Sequence, residues 1–251
     1  MLSVSKECQD LYQRVIALPS DVTWYSDPSK LRSLPFPSLH QAAQIDRFRF
    51  NEQGYFTYVG REKFPEIVDA IRKCIDLRHN LKFNLYATMG HGKSHILAAL
   101  ACYFTCLDRP VVYIPDSAAL VSDFVTCVKL AFMSACAHPS RRHYWPAILN
   151  IRSVEDAISF SQCTSEDFLF IVDQLDALDV SKSGTESDKR RAAASALAEL
   201  MTSMIGRVVV ESVSANSRSY ETLKNSRQGA KMFLFGGMSE VSTALASSKI
   251  V

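Results

Sequence analysis

One short stretch, residues 83–97, constrains the fold of this chain more than any other. An apolar run comes first, a turn carrying Gly90 and Gly92 follows, and an apolar, alanine-rich segment leaves the turn. Residues 87–94 read A-x-x-x-x-G-K-S, a phosphate-binding loop (P-loop) with alanine in place of its first glycine. The alternative is a glycine-containing turn that binds nothing. The predicted strand before the turn and the predicted helix after it argue against that alternative.

The chemistry of such a loop depends on its backbone and on two side chains. Consecutive N–H groups would surround phosphates at the positive end of a helix dipole. Lys93 would reach the outer phosphates, and Ser94 would hold Mg²⁺. Gly90 and Gly92 allow the backbone to approach a ligand without a Cβ in the way. The residues expected to bind nucleotide are Ala87, Thr88, Met89, Gly90, His91, Gly92, Lys93, Ser94 and His95.

A second apolar run, residues 168–172, ends in the carboxylate of Asp173. Five large apolar residues in a row are typical of a central parallel strand that is covered on both faces. Asp173 would then lie at the carboxyl end of that strand, where open α/β sheets bind their ligands. A carboxylate there can hold Mg²⁺ through water opposite Ser94. The alternative role for Asp173 is to cap a following helix.

Hydrolysis requires an attacking water, a group that orients or deprotonates it, and stabilisation of charge on the terminal phosphate. Many related ATPases place Glu directly after the metal-binding Asp, whereas this chain has Gln174. A glutamine orients water but is a poor base, so Asp176 is the candidate base. We therefore expect slow turnover, or binding without hydrolysis.

Further candidates follow the apolar run 208–213. Asn216 comes after this predicted strand and is the candidate to sense the γ-phosphate or to position water. The expected catalytic set is Lys93, Asp173, Gln174, Asp176 and Asn216. The stabilising arginine would be Arg218, Arg227 or one from a neighbouring subunit, and the sequence does not choose among them.

Alternating predicted strands and helices indicate an α/β fold with a mainly parallel sheet and helices on both faces. The predicted strands are 81–86, 111–114, 168–172, 208–213 and 232–235, and the predicted helices are 62–77, 93–107, about 118–137, 154–160 and 189–205. Residues 1–44, interrupted by prolines, are predicted to form a small N-terminal appendage. Residues 45–240 are the expected nucleotide-binding domain, and residues 241–251 are an unpatterned tail.

Two alternating aromatic runs, residues 45–50 and 55–60, surround Gly54 and predict a β-hairpin. Their aromatic side chains either pack against the core or form a wall on which a nucleotide base stacks. Asp116 follows a short predicted strand and precedes a predicted helix. We interpret it as an ordinary N-cap rather than a catalytic residue.

Composition bounds the classes of partner. The net charge of +2, from 28 basic and 26 acidic residues, does not indicate a nucleic-acid-binding protein, although it is compatible with local basic patches. The seven cysteines include no C-x-x-C pair, which indicates a reducing compartment, cytoplasm or nucleus, although secretion by another route stays open. Cys136, His138 and His143 match no standard zinc spacing. No apolar run is expected to reach the length of a membrane span.

In their order, these motifs resemble the P-loop NTPase region of the Crinkler-type proteins of fungi and oomycetes, which are related to the trypanosome retrotransposon-hot-spot family. The matching segments are residues 47–50, 58–62, 87–95, 111–116, 170–176, 214–216 and 236–240. The resemblance covers roughly residues 45–240. It implies an ATPase core that carries an additional strand between the two motif strands, with Mg²⁺ as its metal.

Members of that family often carry an N-terminal translocation segment and a C-terminal nuclease-like domain. Neither pattern is visible in this sequence, so we expect a truncated or divergent copy. Secretion into host cells and delivery to the host nucleus are implied by the resemblance alone.

The sequence is compatible with three functions. The leading hypothesis is an ATP-binding, slowly hydrolysing switch that uses Mg²⁺. The second is a non-catalytic interaction module that holds nucleotide structurally and associates with itself or with a protein partner. The third is a nucleic-acid enzyme, which would need a carboxylate-rich metal site with a lysine outside the loop. Asp116 is the nearest candidate for such a site and is weak evidence for it. GTP stays open as the nucleotide, although no Asn-Lys-x-Asp guanine motif occurs.

Overall fold

The computed structural model describes residues 2–39, 47–77, 81–87, 90, 92–179, 185–203, 208–214 and 230–234. The helices are α1 (Leu2–Ile16), α2 (Val22–Ser26), α3 (Phe64–Asp76), α4 (Lys93–Cys106), α5 (Ala118–Ala135), α6 (Trp145–Leu149), α7 (Val154–Cys163) and α8 (Thr185–Thr202). The strands are β1 (Leu31–Pro35), β2 (Tyr55–Val59), β3 (Leu81–Ala87), β4 (Val111–Ile114), β5 (Leu169–Val172), β6 (Val208–Ser214) and β7 (Ala230–Phe233). Short 3₁₀ helices span Pro139–Tyr144 and Leu175–Leu178.

Within these ranges, the main sheet has five strands in the order β4-β5-β6-β3-β7, and each neighbouring pair is parallel. Strand β6 lies between β5, which precedes Asp173, and β3, which precedes the phosphate-binding loop. The sheet therefore has the additional strand between the two motif strands, and the predicted α/β class is confirmed. Right-handed crossovers through helices are the ordinary way to join parallel strands of this kind.

Side chains on alternate positions of β5 enter two separate cores, because successive residues of a strand point to opposite faces. Phe170 and Val172 pack with α5, α7 and α8 on one face. Leu169 and Ile171 pack with α3 and α4 on the other. The continuous apolar run of this strand is thus explained by burial on both faces.

The register of the sheet brings the ends of its strands to one edge. Ile114 lies opposite Val172, and Ala87 lies opposite Ser214. The residues after β4 and β5 are joined directly, since Asp173 N donates to Ile114 O at 2.9 Å and the Ser117 hydroxyl donates to Asp173 O at 2.8 Å. The loop after β3 opens at the same edge, as parallel strands require.

The N-terminal segment packs against the sheet domain. Helix α1 contacts α4 and α5, and Cys8 and Tyr12 belong to the core that α5 forms with the sheet. Tyr25 stacks on Phe64 of α3, with ring centroids 5.1 Å apart. The predicted boundary at residue 44 lies outside the described residues and stays a prediction. So do the predicted tail at 241–251 and its separation from the domain.

The predicted hairpin of residues 45–50 with 55–60 forms next to its turn, where Phe50 makes an antiparallel bridge to Phe56 and Asn51 N donates to Tyr55 O at 2.9 Å; residues 45 and 46 lie outside the described residues. Strand β2 makes its longer antiparallel ladder with β1, for instance Leu34 with Phe56, a pairing that was not predicted. The turn itself forms, because the Asn51 side chain accepts from two backbone N–H groups and Gly54 has φ 76°. The ladder between β2 and β1 is longer than this bridge. Phe48 packs in an aromatic cluster with Phe36 and Phe56.

Two boundaries also differ. Helix α8 begins at Thr185, before the predicted residue 189, and carries Glu186 and Asp188 in its first turn, where the helix dipole favours acidic side chains. Strand β7 begins at Ala230, two residues before the prediction.

Helix α5 is long and apolar enough, by length and composition, to cross a membrane. The prediction that no apolar run reaches the length of a membrane span is therefore wrong for α5. Its Leu120, Val128 and Phe132 are buried in the core beside the sheet. That burial is typical of the core helix of an α/β domain.

Candidate functional site

Two glycines of the turn between β3 and α4 have the left-handed backbone that a phosphate-binding loop commonly uses. Gly90 and Gly92 have φ of 85° and 73°, values that residues with a Cβ rarely adopt. Gly92 is the N-cap of α4, so the positive end of that helix faces the turn. Thr88, Met89 and His91 lie outside the described residues. The strand, turn and helix that the motif requires are present in order.

Lys93 lies across this turn. Its Nζ donates to the carbonyl oxygen of Ala87 at 2.7 Å. Burial lowers the pKa of Lys93, and the charges of Asp173 and Asp176 oppose that shift. The ammonium group is therefore close to the last residue of β3 and to both predicted catalytic carboxylates.

Asp173 is buried at the carboxyl end of β5 and is heavily hydrogen-bonded. Its Oδ1 accepts from the backbone N–H of Gln174 at 2.8 Å and from the hydroxyl of Ser212. Burial raises the pKa of Asp173, whereas hydrogen bonds from Ser212 and Ser94 and the charge of Arg47 lower it. Ser94 and Asp173, the two predicted Mg²⁺ ligands, thus lie near each other.

Gln174 and Asp176 follow on the same side of the sheet. Gln174 has φ 56° and precedes the 3₁₀ helix that carries Asp176. With its amide oriented to satisfy both partners, the Gln174 oxygen accepts from Arg47 Nη1 at 3.0 Å and from Arg47 Nε at 3.3 Å. The Gln174 side chain is therefore engaged by an arginine. Asn216, Arg218 and Arg227 lie outside the described residues.

Arg47 is a site residue that the sequence did not predict. Its Nη1 lies 3.4 Å from Asp173 Oδ2 and its Nη2 lies 3.2 Å from Asp116 Oδ2. Asp116 also caps α5, since its Oδ1 accepts from Ala118 N at 2.9 Å. The N-cap interpretation of Asp116 is confirmed, and the ion pair is an additional role. No spacing in the sequence indicates it, because Arg47 precedes Asp116 and Asp173 by long stretches of chain.

Arg61 is a second unpredicted residue, and it lies beside Gly92 of the loop. A Cβ at Gly92 would lie 2.4 Å from Nη2 of Arg61. The Nε of Arg61 is buried without a hydrogen-bond partner, and among the described residues no carboxylate pairs with its guanidinium. Burial lowers the pKa of Arg61. Arg61 therefore places a positive charge beside the loop, and no carboxylate among the described residues offsets it.

His95 joins the loop to the aromatic cluster of Phe36, Phe48, Phe50 and Phe56. Its ring centroid lies 4.6 Å from that of Phe48 and 5.8 Å from that of Phe56. Burial, followed by the charges of Arg61 and Arg47, lowers the pKa of His95 to about 4. Phe48 and Phe56 are themselves buried. These aromatic side chains therefore serve the core, which is the first of the two sequence interpretations.

Comparisons with known proteins add a distant structural similarity. No family model matches the sequence, and no curated protein matches it. Among solved structures, the chain is similar to one described as a DNA replication initiation factor, with 13% sequence identity and a TM-score of 0.42. The similarity covers 73% of this chain and 47% of the other, so this chain spans less than half the length of that protein. A similarity this low transfers no function.

Proposed function

We propose that the chain is a P-loop domain that binds a nucleoside triphosphate, most simply ATP, with Mg²⁺ and hydrolyses it slowly as a conformational switch. One observation carries the proposal. Ser94, from the start of α4, and Asp173, from the end of β5, meet at the carboxyl edge of a parallel sheet, near enough for the Ser94 hydroxyl to lower the pKa of Asp173. A hydroxyl and a carboxylate brought together there are the pair that an Mg²⁺–nucleotide site of this class needs.

The residues present suit the phosphates as well. The loop offers backbone N–H groups at a helix N-terminus, and Lys93 lies across it. Arg61 adds a buried positive charge without a counter-charge among the described residues, which an anion would offset. Bound Mg²⁺ would be held by Ser94 and, through water, by Asp173, and it would offset charge on the phosphate oxygens.

Asp176 is the residue proposed to deprotonate the attacking water. The 3₁₀ helix places it close enough to Lys93 for its charge to act on that ammonium. Gln174 cannot serve as a base, and its side-chain oxygen is directed to Arg47. A base displaced three residues from the metal-binding carboxylate is consistent with slow turnover.

The test is Mg²⁺-dependent phosphate release by the purified protein. Asp176→Asn should lower turnover by about two orders of magnitude while ATP binding stays within about threefold, because general-base contributions have that size. Asp69→Asn, on the exposed face of α3, is the matched control. Turnover unchanged in Asp176→Asn would remove Asp176 from the mechanism.

A second candidate function is a non-catalytic module that holds nucleotide and associates with itself or with another protein. The contact between Gln174 and Arg47 favours it, because this contact occupies the side chain that would orient water. Saturable ATP binding without phosphate release would select this function. A nucleotide-dependent change of mass in solution would then identify self-association.

We further propose that the chain is a Crinkler-like NTPase region acting in cytoplasm or nucleus. The proposal is supported by the order of its sequence motifs and is compatible with the additional strand β6. A structure of a Crinkler NTPase region would test it. Equivalents of Arg47, Arg61 and Asp173 in the same places would support membership, and a different strand order would contradict it.

A further inference from the structure

Arg47 lies between two acidic side chains that follow adjacent strands. Asp116 comes shortly after β4 and Asp173 directly after β5, so both lie at the edge of the sheet where ligands bind. The Arg47 guanidinium contacts both carboxylates and also donates to Pro115 O at 3.1 Å. Its side chain is 19% exposed, and those of Asp116 and Asp173 are 8% and 1% exposed. This is a largely buried ionic cluster that opens to the site.

The cluster is continuous with the magnesium side of the loop. Asp173 lies near the Ser94 hydroxyl and contacts Arg47 at 3.4 Å, so one carboxylate links the loop to the guanidinium. The charges of Arg61 and of Arg47 both act on His95, the residue after Ser94. The contact with Asp173 at 3.4 Å places Arg47 beside the residues predicted to hold Mg²⁺, which is the side on which the terminal phosphate of a bound triphosphate would lie.

We propose that Arg47 is a phosphate-contacting arginine that this chain supplies to its own site. The inference rests on the proposed function. Mg²⁺ held by Ser94 and, through water, by Asp173 would offset the negative charge of Asp173. Arg47 would then exchange Asp173 for an oxygen of the terminal phosphate and keep Asp116 as its anchor.

The geometry of the guanidinium permits this exchange. It presents five N–H donors in a planar fork, and such a fork binds carboxylate and phosphate oxygens in the same way. Asp116 is fixed by its hydrogen bond to Ala118 N, so it holds Arg47 at the edge of the sheet while the second contact changes. The positive charge that hydrolysis requires would then come from Arg47, which precedes β2 in the same chain. It would not require Arg218, Arg227 or a neighbouring subunit.

The test compares the affinities for Mg²⁺–ATP and Mg²⁺–ADP, because only ATP carries the terminal phosphate. Arg47→Ala should weaken ATP binding by about 10- to 100-fold, the size of a lost charge-assisted contact, and leave ADP binding within about threefold. Arg47→Lys should show an intermediate loss, since it keeps the charge and lacks the fork. Arg49→Ala, an exposed arginine of the same segment, is the matched control and should bind both nucleotides like the wild type.

A second variant tests the anchor. Asp116→Asn keeps an N-cap for α5, since asparagine caps as well as aspartate does, but it removes the charge that holds Arg47. We expect a loss of ATP selectivity of about three- to tenfold, together with a lower thermal midpoint because Arg47 keeps only Asp173 as a counter-charge. Asp116 is thus a positioning residue, and a purely structural role would lower the midpoint without changing selectivity.

Three results would overturn the inference. Equal losses for ATP and ADP, or no loss, would make Arg47 a structural ion-pair partner. Tighter Mg²⁺–ATP binding by Arg47→Ala would make it a latch that competes with the metal. A wild-type protein that binds neither nucleotide would overturn the proposed function and, with it, the role of Arg47. If Arg47→Ala does not fold, Arg47→Lys supplies the same comparison.

Discussion

At the scale of single residues, the site is a balance of buried charges around two glycines. Arg61 and Lys93 lie by the loop, and Arg47 lies between Asp116 and Asp173. A buried charge is costly unless another charge or a set of hydrogen bonds offsets it. Arg47 has both carboxylates, whereas Arg61 has none among the described residues. The two arginines should therefore respond differently to substitution.

Arg61→Ala should weaken the binding of ATP and ADP alike, by about tenfold, because Arg61 lies against Gly92, in the part of the loop expected to bind the phosphates that both nucleotides carry. The free energy of unfolding without nucleotide should not fall, since the substitution removes a buried cation that no described carboxylate pairs. Calorimetric titration and urea unfolding measure the two effects. Arg72→Ala, an exposed arginine on α3, is the control. A less stable Arg61→Ala protein with normal binding would make Arg61 a structural residue.

His95 should make folding sensitive to acid. The pKa of His95 is about 4 in the folded protein and about 6.5 in an unfolded chain. Between these values the unfolded chain binds the proton and the folded chain does not. The stabilisation is therefore present above pH 6.5 and is lost as the pH falls to 4, by at most about 3 kcal/mol. In urea unfolding from pH 7 to pH 4, His95→Gln should lose less stability than the wild type. Parallel losses would mean that His95 is protonated in the folded protein.

At the scale of elements, the antiparallel pair of β1 and β2 positions Arg61. Strand β2 pairs with β1 and delivers Gly60 and Arg61 to the loop, and the backbone N–H of Arg61 donates to Tyr25 O at 3.1 Å. A Cβ at Gly60 would lie 2.1 Å from the carbonyl oxygen of Asp27, which is an impossible contact with backbone. The close approach of these two chain segments therefore requires glycine, and it determines where Arg61 lies.

Gly60→Ala should lower the free energy of unfolding by about 1–3 kcal/mol, as overpacking does. It should also weaken nucleotide binding, because the backbone shift displaces Arg61. Thr57→Ala, on the exposed side of β2, is the control and should change neither quantity. Stability like that of the wild type in Gly60→Ala would show that the contact with Asp27 relaxes freely.

At the scale of the whole molecule, the sheet could be predicted from sequence, but part of the site could not. Apolar runs such as residues 168–172 identify buried parallel strands because their pattern is local. The phosphate-binding loop and Asp173 follow from those strands. Arg47 and Arg61 reach the site through contacts between distant segments, β1 with β2 and Arg47 with Asp116 and Asp173, for which the sequence carries no periodic signal. The pairing of β2 with β1 was missed for the same reason, since β1 lies upstream of the predicted hairpin.

The most direct measurement of the central claim is a calorimetric titration of Mg²⁺–ATP into the wild type, Lys93→Ala and Lys63→Ala. Lys63 is an exposed lysine paired with Glu66 on the surface, and it controls for the loss of a positive charge. A nucleotide site at the loop predicts saturable binding by the wild type and by Lys63→Ala, and at least about a tenfold weaker affinity in Lys93→Ala. No binding by the wild type, or equal binding by all three proteins, would contradict a nucleotide site at residues 87–95.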